Sequence, residues 1–253
     1  MLSDGLTERL RLRFGPDVQP WLDGVTALVD RLAVRWGLTV LATMSAGSTS
    51  CTFRCRRADG SLAYLKLTPD AEVFGTEAAA LRAWASCPAV VSLLDVADED
   101  NALLIEALEP GTPLTDWRPA GALLRQLRDV PAPTGFPTVA DRVDFMFTLA
   151  HRRNPGVPAA LLDASHAAAR GPVAIDPRPC LGDPDLDVVD WTLLDVTTDT
   201  QLRARVAALS VLDEDRAYEW SRALAVLLLM SHVRRGIDDP GTALFRQLAE
   251  SLA

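Results

Sequence analysis

Of the 25 lysine and arginine residues in the chain, 24 are arginine and one, Lys66, is lysine. A chain so biased has placed arginine almost wherever a generic cation serves, so the surviving lysine marks a position where arginine does not substitute. A compact ammonium on a flexible stem suits point-charge contact with phosphate oxygens, whereas arginine offers a broad planar fork. Other residues of matching chemistry follow in order. The small residues of Ser45-Ala-Gly-Ser-Thr-Ser50 would let backbone N–H groups approach phosphates closely, with Ser48 and Thr49 as contacts. Glu77 is a carboxylate that could pair with Lys66 and aim it. Leu103 to Leu108 is an apolar stretch whose end, Glu106, Ala107 and Leu108, offers backbone groups to the edge of an adenine. Asp176 closes the short apolar segment Pro172-Val-Ala-Ile-Asp-Pro177, where a carboxylate can hold the magnesium that bridges nucleotide phosphates. Downstream, Asp183, Asp185, Asp187 and Asp190 crowd one span. They could bind a second metal, fix loops, or meet the amino groups of a substrate. Each feature also has an ordinary explanation: a Gly/Ser turn between strands, a solvated glutamate in a helix's first turn, a turn-initiating Asp before Pro, capping carboxylates. Their order along the chain is what favours ATP and Mg2+ as cofactors.

The elements that must carry these residues divide into two sets. Pro20 to Trp36 has helical spacing, and β-type segments follow at Leu38–Thr43, Thr52–Arg57, Leu62–Leu67, Val90–Val96 and Ala102–Glu106. A helix near Thr76–Ala85 interrupts them, with Glu77 in its first turn. Glu109-Pro-Gly-Thr-Pro113 is a turn-rich break. Beyond it the pattern is mostly helical, at about Ala120–Asp129, Val139–Arg152, Pro158–Ala169, Gln201–Val211, Asp213–Arg235 and Gly241–Leu252. The expected fold class is α+β, with a small β-rich N-terminal lobe over residues 1–108 and a larger helical C-terminal lobe over 109–253. A β lobe, a hinge and a helical lobe is the layout of a kinase, with nucleotide held between the lobes.

Composition narrows the partners. A net charge of −9 argues against nucleic acid or an anionic membrane surface, both of which require a cationic footprint, and is compatible with a cationic small molecule. The N-terminus lacks an apolar signal core, and the longest apolar run, Ala223 to Met230, is too short to span a bilayer and reads as a buried helix. Cys51, Cys55, Cys87 and Cys180 form no CxxC pair and have no histidine at ligand spacing, so neither structural zinc nor a disulfide framework is expected. The chain reads as cytoplasmic.

The segments STSCTFRCRRADGSLAYLKLTPD, EAAALRAW, ALLIEALEPGTPL, VPAPTGFPTVADRVDFMF and AIDPRPCLGDPDLD together resemble the aminoglycoside/hydroxyurea antibiotic-resistance kinases, the streptomycin 6-phosphotransferase-like branch of the aminoglycoside phosphotransferase superfamily. The resemblance runs from about Phe14 to the C-terminus. It implies a bilobal protein-kinase-like fold and ATP-dependent phosphorylation of a hydroxyl on a small molecule. By position it makes Lys66 the phosphate-binding lysine, Glu77 its partner, Glu106 to Leu108 the adenine hinge and Asp176 the magnesium ligand. Arg178 stands where relatives often carry lysine.

One family element is absent. The His-Gly-Asp-x-His-x-x-Asn catalytic loop should precede the strand ending in Asp176, yet the helix ending at Ala169 runs through Arg170-Gly171 straight into Pro172. No catalytic residue is identified there. Asp163-Ala-Ser-His166 lies in a helical stretch without the Gly and Asn, and His166 reads as an ordinary helix residue. The missing Asp would handle the acceptor proton, a contribution of roughly 10²–10⁴-fold in rate, and the missing Asn would hold a magnesium ion. Two readings stay open: a working kinase whose catalytic segment lies outside this sequence, or a pseudokinase that binds nucleotide or ligand without efficient turnover.

Overall fold

The computed structural model describes residues 2–45, 47–109, 111, 116–128, 130, 136–169, 183–210 and 213–253. The chain divides into two compact units, Met1–Pro113 and Leu114–Ala253.

The first unit is built on a five-stranded antiparallel sheet in the order β1-β2-β3-β5-β4, with β1 Leu38–Thr43, β2 Cys51–Arg57, β3 Leu62–Leu67, β4 Leu93–Ala97 and β5 Ala102–Glu106. Alternation along the strands sorts side chains to two faces. On β3, Ala63, Leu65 and Leu67 are fully buried in a core shared with Leu6 and Leu10 of α1 (Asp4–Phe14) and with Leu22, Val25, Val29 and Leu32 of α2 (Gln19–Trp36). Tyr64 and Lys66 point the other way. There α3 (Ala71–Ala83) lays Phe74, Ala78 and Leu81 against Leu103 of β5. Gly37, at φ +62°, ends α2 in the left-handed conformation and turns the chain directly into β1. Both outer strands carry a bulge: the register shifts between Val40 and Ala42 on β1, and between Leu93 and Asp95 on β4.

The larger differences from the sequence reading in this unit are three. α1 was not anticipated: its buried residues, Leu6 and Leu10, stand in a charge-rich segment. α3 begins at Ala71 and not near Thr76, since Asp70 caps it by accepting from the N–H groups of Glu72 (2.9 Å) and Val73 (3.1 Å). Glu77 therefore stands in the second turn, not the first. β4 begins at Leu93 and not Val90, because successive turns, Cys87 N–H to Trp84 O and Val90 N–H to Cys87 O, occupy the chain after α3.

The second unit is helical: α4 Ala120–Arg128, α5 Val139–Arg152, α6 Ala159–Ala168, the short α7 Val189–Thr192, α8 Asp199–Leu209, α9 Glu214–Arg235 and α10 Pro240–Glu250. α9 is its axis. Trp220, Ala223, Leu224, Val226, Leu229 and Met230 are buried on it, so the apolar run noted in the sequence is core. α5 opens on a capping box between Thr138 and Asp141. Two crossed pairs tie α5 to α6 in antiparallel order: Asp144 with His166 at 2.7 Å, and His151 with Asp163 at 3.3 Å. Among the described residues no helix is long and apolar enough to cross a membrane.

Candidate functional site

Lys66 occupies a central strand, opposite Thr52 on β2 and Leu103 on β5, so its backbone is fixed from both sides. The period of the strand sends Leu65 and Leu67 into the core and leaves Lys66 on the α3 face. α3 packs Phe74, Ala78 and Leu81 onto the sheet, which brings Glu77 to the lysine. The Nζ of Lys66 donates to Oε1 of Glu77 at 2.6 Å and to Oε2 at 2.7 Å. The two side chains are 26% and 25% exposed, so the ammonium is held but not enclosed. An ammonium has three donors. With two committed to one carboxylate, it retains capacity on its open side for an anionic oxygen.

The Ser45–Ser50 loop joins β1 to β2 as expected. Ser48 is exposed, Thr49 is half-buried and Ser50 is buried. The Thr49 carbonyl accepts from Thr68 Oγ1 at 2.8 Å, which fixes the loop to the end of β3. Gly47, at φ +103°, supplies a reversal that side-chained residues rarely adopt. The sequence reading missed Arg9 of α1. Its Nε donates to the Gly47 carbonyl at 2.8 Å and its Nη2 donates to the Ser45 carbonyl. One arginine among 24 gives no signal in the sequence.

At the end of β5 the Glu106 carboxylate is already engaged. It accepts from the Ser92 N–H at 3.0 Å and from Ser92 Oγ at 2.9 Å, bonds that hold it below the usual carboxylate range. The Glu106 N–H donates to the Ser92 carbonyl at 2.9 Å. Glu106 thus locks β4 to β5, and the backbone continues through Ala107 and the exposed Leu108.

In the second unit Asp176 lies outside the described residues, as does Arg178. The acidic run separates into two pairs. Asp183 and Asp185 are interior. Asp183 accepts from the Arg216 guanidinium, from Trp220 Nε1 at 3.1 Å and from the Asp185 N–H at 3.0 Å; Asp185 accepts from the Asp213 N–H at 2.8 Å. These two anchor the chain to the start of α9. Asp187 and Asp190 lie further along the same stretch. Burial, reinforced by the neighbouring Asp190 charge, pushes the half-buried Asp187 carboxyl up to about 7. Asp190 is exposed and shares a cavity of about 300 Å³ with Arg142, Met146, Leu193, Leu224 and Leu228. His166 stacks on Phe147, with ring centroids 4.7 Å apart, and bonds Asp144 on α5, as befits a helix-packing residue.

No family model matches the chain. Individual proteins do. A streptomycin 6-kinase of Streptomyces griseus is 30% identical over 302 aligned positions, covering 100% of this chain and 97% of that protein. Since the chain has 253 residues, at least 49 of those positions have no residue here. A hydroxyurea phosphotransferase of Kitasatospora aureofaciens is 36% identical over 137 positions, 50% of this chain and 40% of that protein. Among solved structures, choline kinase LicA from Streptococcus pneumoniae superposes with a TM-score of 0.63 at 11% identity, covering 90% of this chain and 98% of that one, which supports the kinase-like α+β fold.

Proposed function

Because the chain belongs to the aminoglycoside phosphotransferase family, we propose that it transfers the γ-phosphoryl group of magnesium-bound ATP to a hydroxyl of a small molecule. The Lys66–Glu77 pair carries this reading. A lysine fixed on a central strand, aimed by a helix-borne carboxylate and open on one side, is suited to hold phosphate oxygens in place. Ser48 and Thr49 would approach the phosphates from the β1–β2 loop, and the backbone from Glu106 to Leu108 would meet the adenine. Asp176 would hold magnesium, which when bound offsets charge on the phosphates. In the transfer the acceptor oxygen bonds to the γ-phosphorus, the bond to the β,γ-bridging oxygen breaks, ADP leaves, and the hydroxyl proton must pass to a base.

The His-Gly-Asp loop is missing from the sequence, and at least 49 positions of the streptomycin kinase alignment are unmatched here. This observation favours a second reading, a protein that binds nucleotide and ligand with little turnover. The acceptor would be a small hydroxylated molecule, and a cationic aminoglycoside fits the Asp187 and Asp190 carboxylates. A cytoplasmic location agrees with ATP as phosphoryl donor.

The test pairs two measurements on the purified protein. ATP consumption with streptomycin and with hydroxyurea reports transfer, and melting temperature against Mg·ATP reports binding. Turnover abolished by Lys66→Ala supports the kinase. A nucleotide-dependent rise in melting temperature without turnover supports the second reading. Neither signal, or turnover unchanged in Lys66→Ala, would sink the assignment.

A further inference from the structure

α1 packs on the sheet face opposite Lys66. Leu6 and Leu10 share a core with Leu65 and Leu67, the two residues flanking Lys66 that point away from it. Arg9, between those leucines, reaches from this side to the Ser45–Ser50 loop and donates to the carbonyls of both Ser45 and Gly47. In a trans peptide the carbonyl and the following N–H point in opposite directions. With the Gly47 carbonyl engaged by Arg9, the N–H of the same peptide, that of Ser48, points away from the guanidinium. The Thr49 carbonyl is fixed separately by Thr68 Oγ1. The loop is therefore held at the carbonyls on either side of Ser48, which is itself exposed.

We propose that Arg9 is a positioning residue: by gripping two carbonyls at once, it presets the Ser45–Ser50 loop so that the Ser48 N–H is presented to a nucleotide phosphate before nucleotide arrives. This rests on the reading that the loop meets phosphates. A preset loop binds more tightly because less backbone freedom is lost on binding. A planar fork with several donors can hold two carbonyls in fixed relation; an ammonium at the same place cannot reproduce that geometry.

The experiment compares Mg·ATP with adenosine, which lacks the phosphates, by calorimetry on wild type, Arg9→Ala, Arg9→Lys and Lys66→Ala. Hydrogen exchange over residues 43–50 is followed in parallel. The expectation is that Arg9→Ala weakens Mg·ATP about tenfold, the scale of one or two lost hydrogen bonds. Adenosine affinity should not move, exchange in the loop should rise, and Arg9→Lys should recover only part of the loss. An unchanged Mg·ATP affinity in Arg9→Ala overturns the proposal, and so does a parallel loss of adenosine, which would indicate general damage to the unit. The functional reading is judged separately by wild type and Lys66→Ala. If wild type does not prefer Mg·ATP to adenosine, or Lys66→Ala keeps that preference, that reading fails and the role of Arg9 falls with it.

Discussion

At Lys66 the geometry asks for a lysine, because both Glu77 oxygens converge on one nitrogen. A guanidinium is wider, so Lys66→Arg should keep the fold and lose at least tenfold in Mg·ATP affinity, on the order of one charge-assisted contact. Titration calorimetry on the two proteins checks this; equal affinity would mean the site reads charge alone. Asp187 makes a different prediction. Its carboxyl is raised from 3.8 to about 7 in the folded protein, so the folded state binds more protons than the unfolded chain between those values. Its contribution therefore falls as pH rises through that window and stays unfavourable above it. Asp187→Asn should raise the melting temperature at pH 8 by about 2–4 °C and leave it unchanged at pH 3. A gain of equal size at both pH values would show that the charge is not responsible. Lys66 and Glu77 were legible in the sequence because each is set off by type and position. Arg9 was not, because its identity is the commonest one among the cations of this chain. The separation of Asp183 and Asp185 from Asp187 and Asp190 was equally hidden, since it depends on Arg216 and Trp220 of α9.

Elements with one clear period were legible to the residue. β1, β3, β5 and α5 lie where alternation or helical spacing placed them. α3 was read late because Gly75 interrupts its pattern, although Asp70 was a usable start signal. The Asp183 carboxylate shows how much an element can depend on one buried group. It joins the segment before α7 to α9 through Arg216 and Trp220, and accepts the Asp185 N–H within that segment. Asp183→Ala should cost about 1–3 kcal/mol, the range for leaving a buried donor such as Trp220 Nε1 unsatisfied, because the Arg216 side chain can turn to solvent. Urea denaturation measures it, and a loss below 1 kcal/mol would place this carboxylate among ordinary surface caps. On β2, Cys51 and Cys55 both face the core, and burial pushes the Cys51 thiol up to about 12. Thiolates are the reactive form, so both should resist a neutral-pH thiol reagent until urea unfolds the unit. Rapid native labelling at either position, read by peptide mass, would contradict the packing of β2 against α1 and α2.

For the whole molecule, the division into a sheet-bearing unit and a helical unit could be read from where period-2 patterning gives way to helical spacing. The catalytic loop was legible only as an absence between Ala169 and Pro172. One feature of the first unit bears on how the protein behaves in a crowded solution. Its sheet has two outer strands and no closure, so each could template a strand of a neighbouring copy. The register shifts leave Leu41 on β1 and Leu94 on β4 as the unmatched residues, 41% and 36% exposed. An unmatched residue breaks the even ladder that intermolecular pairing requires. Deleting Leu41 or Leu94 would straighten an edge at little expense to the core, and light scattering on concentrated samples should then show the variants aggregating at concentrations where the natural chain stays clear. The two leucines, which look like liabilities on an open surface, would then be part of what keeps the protein soluble.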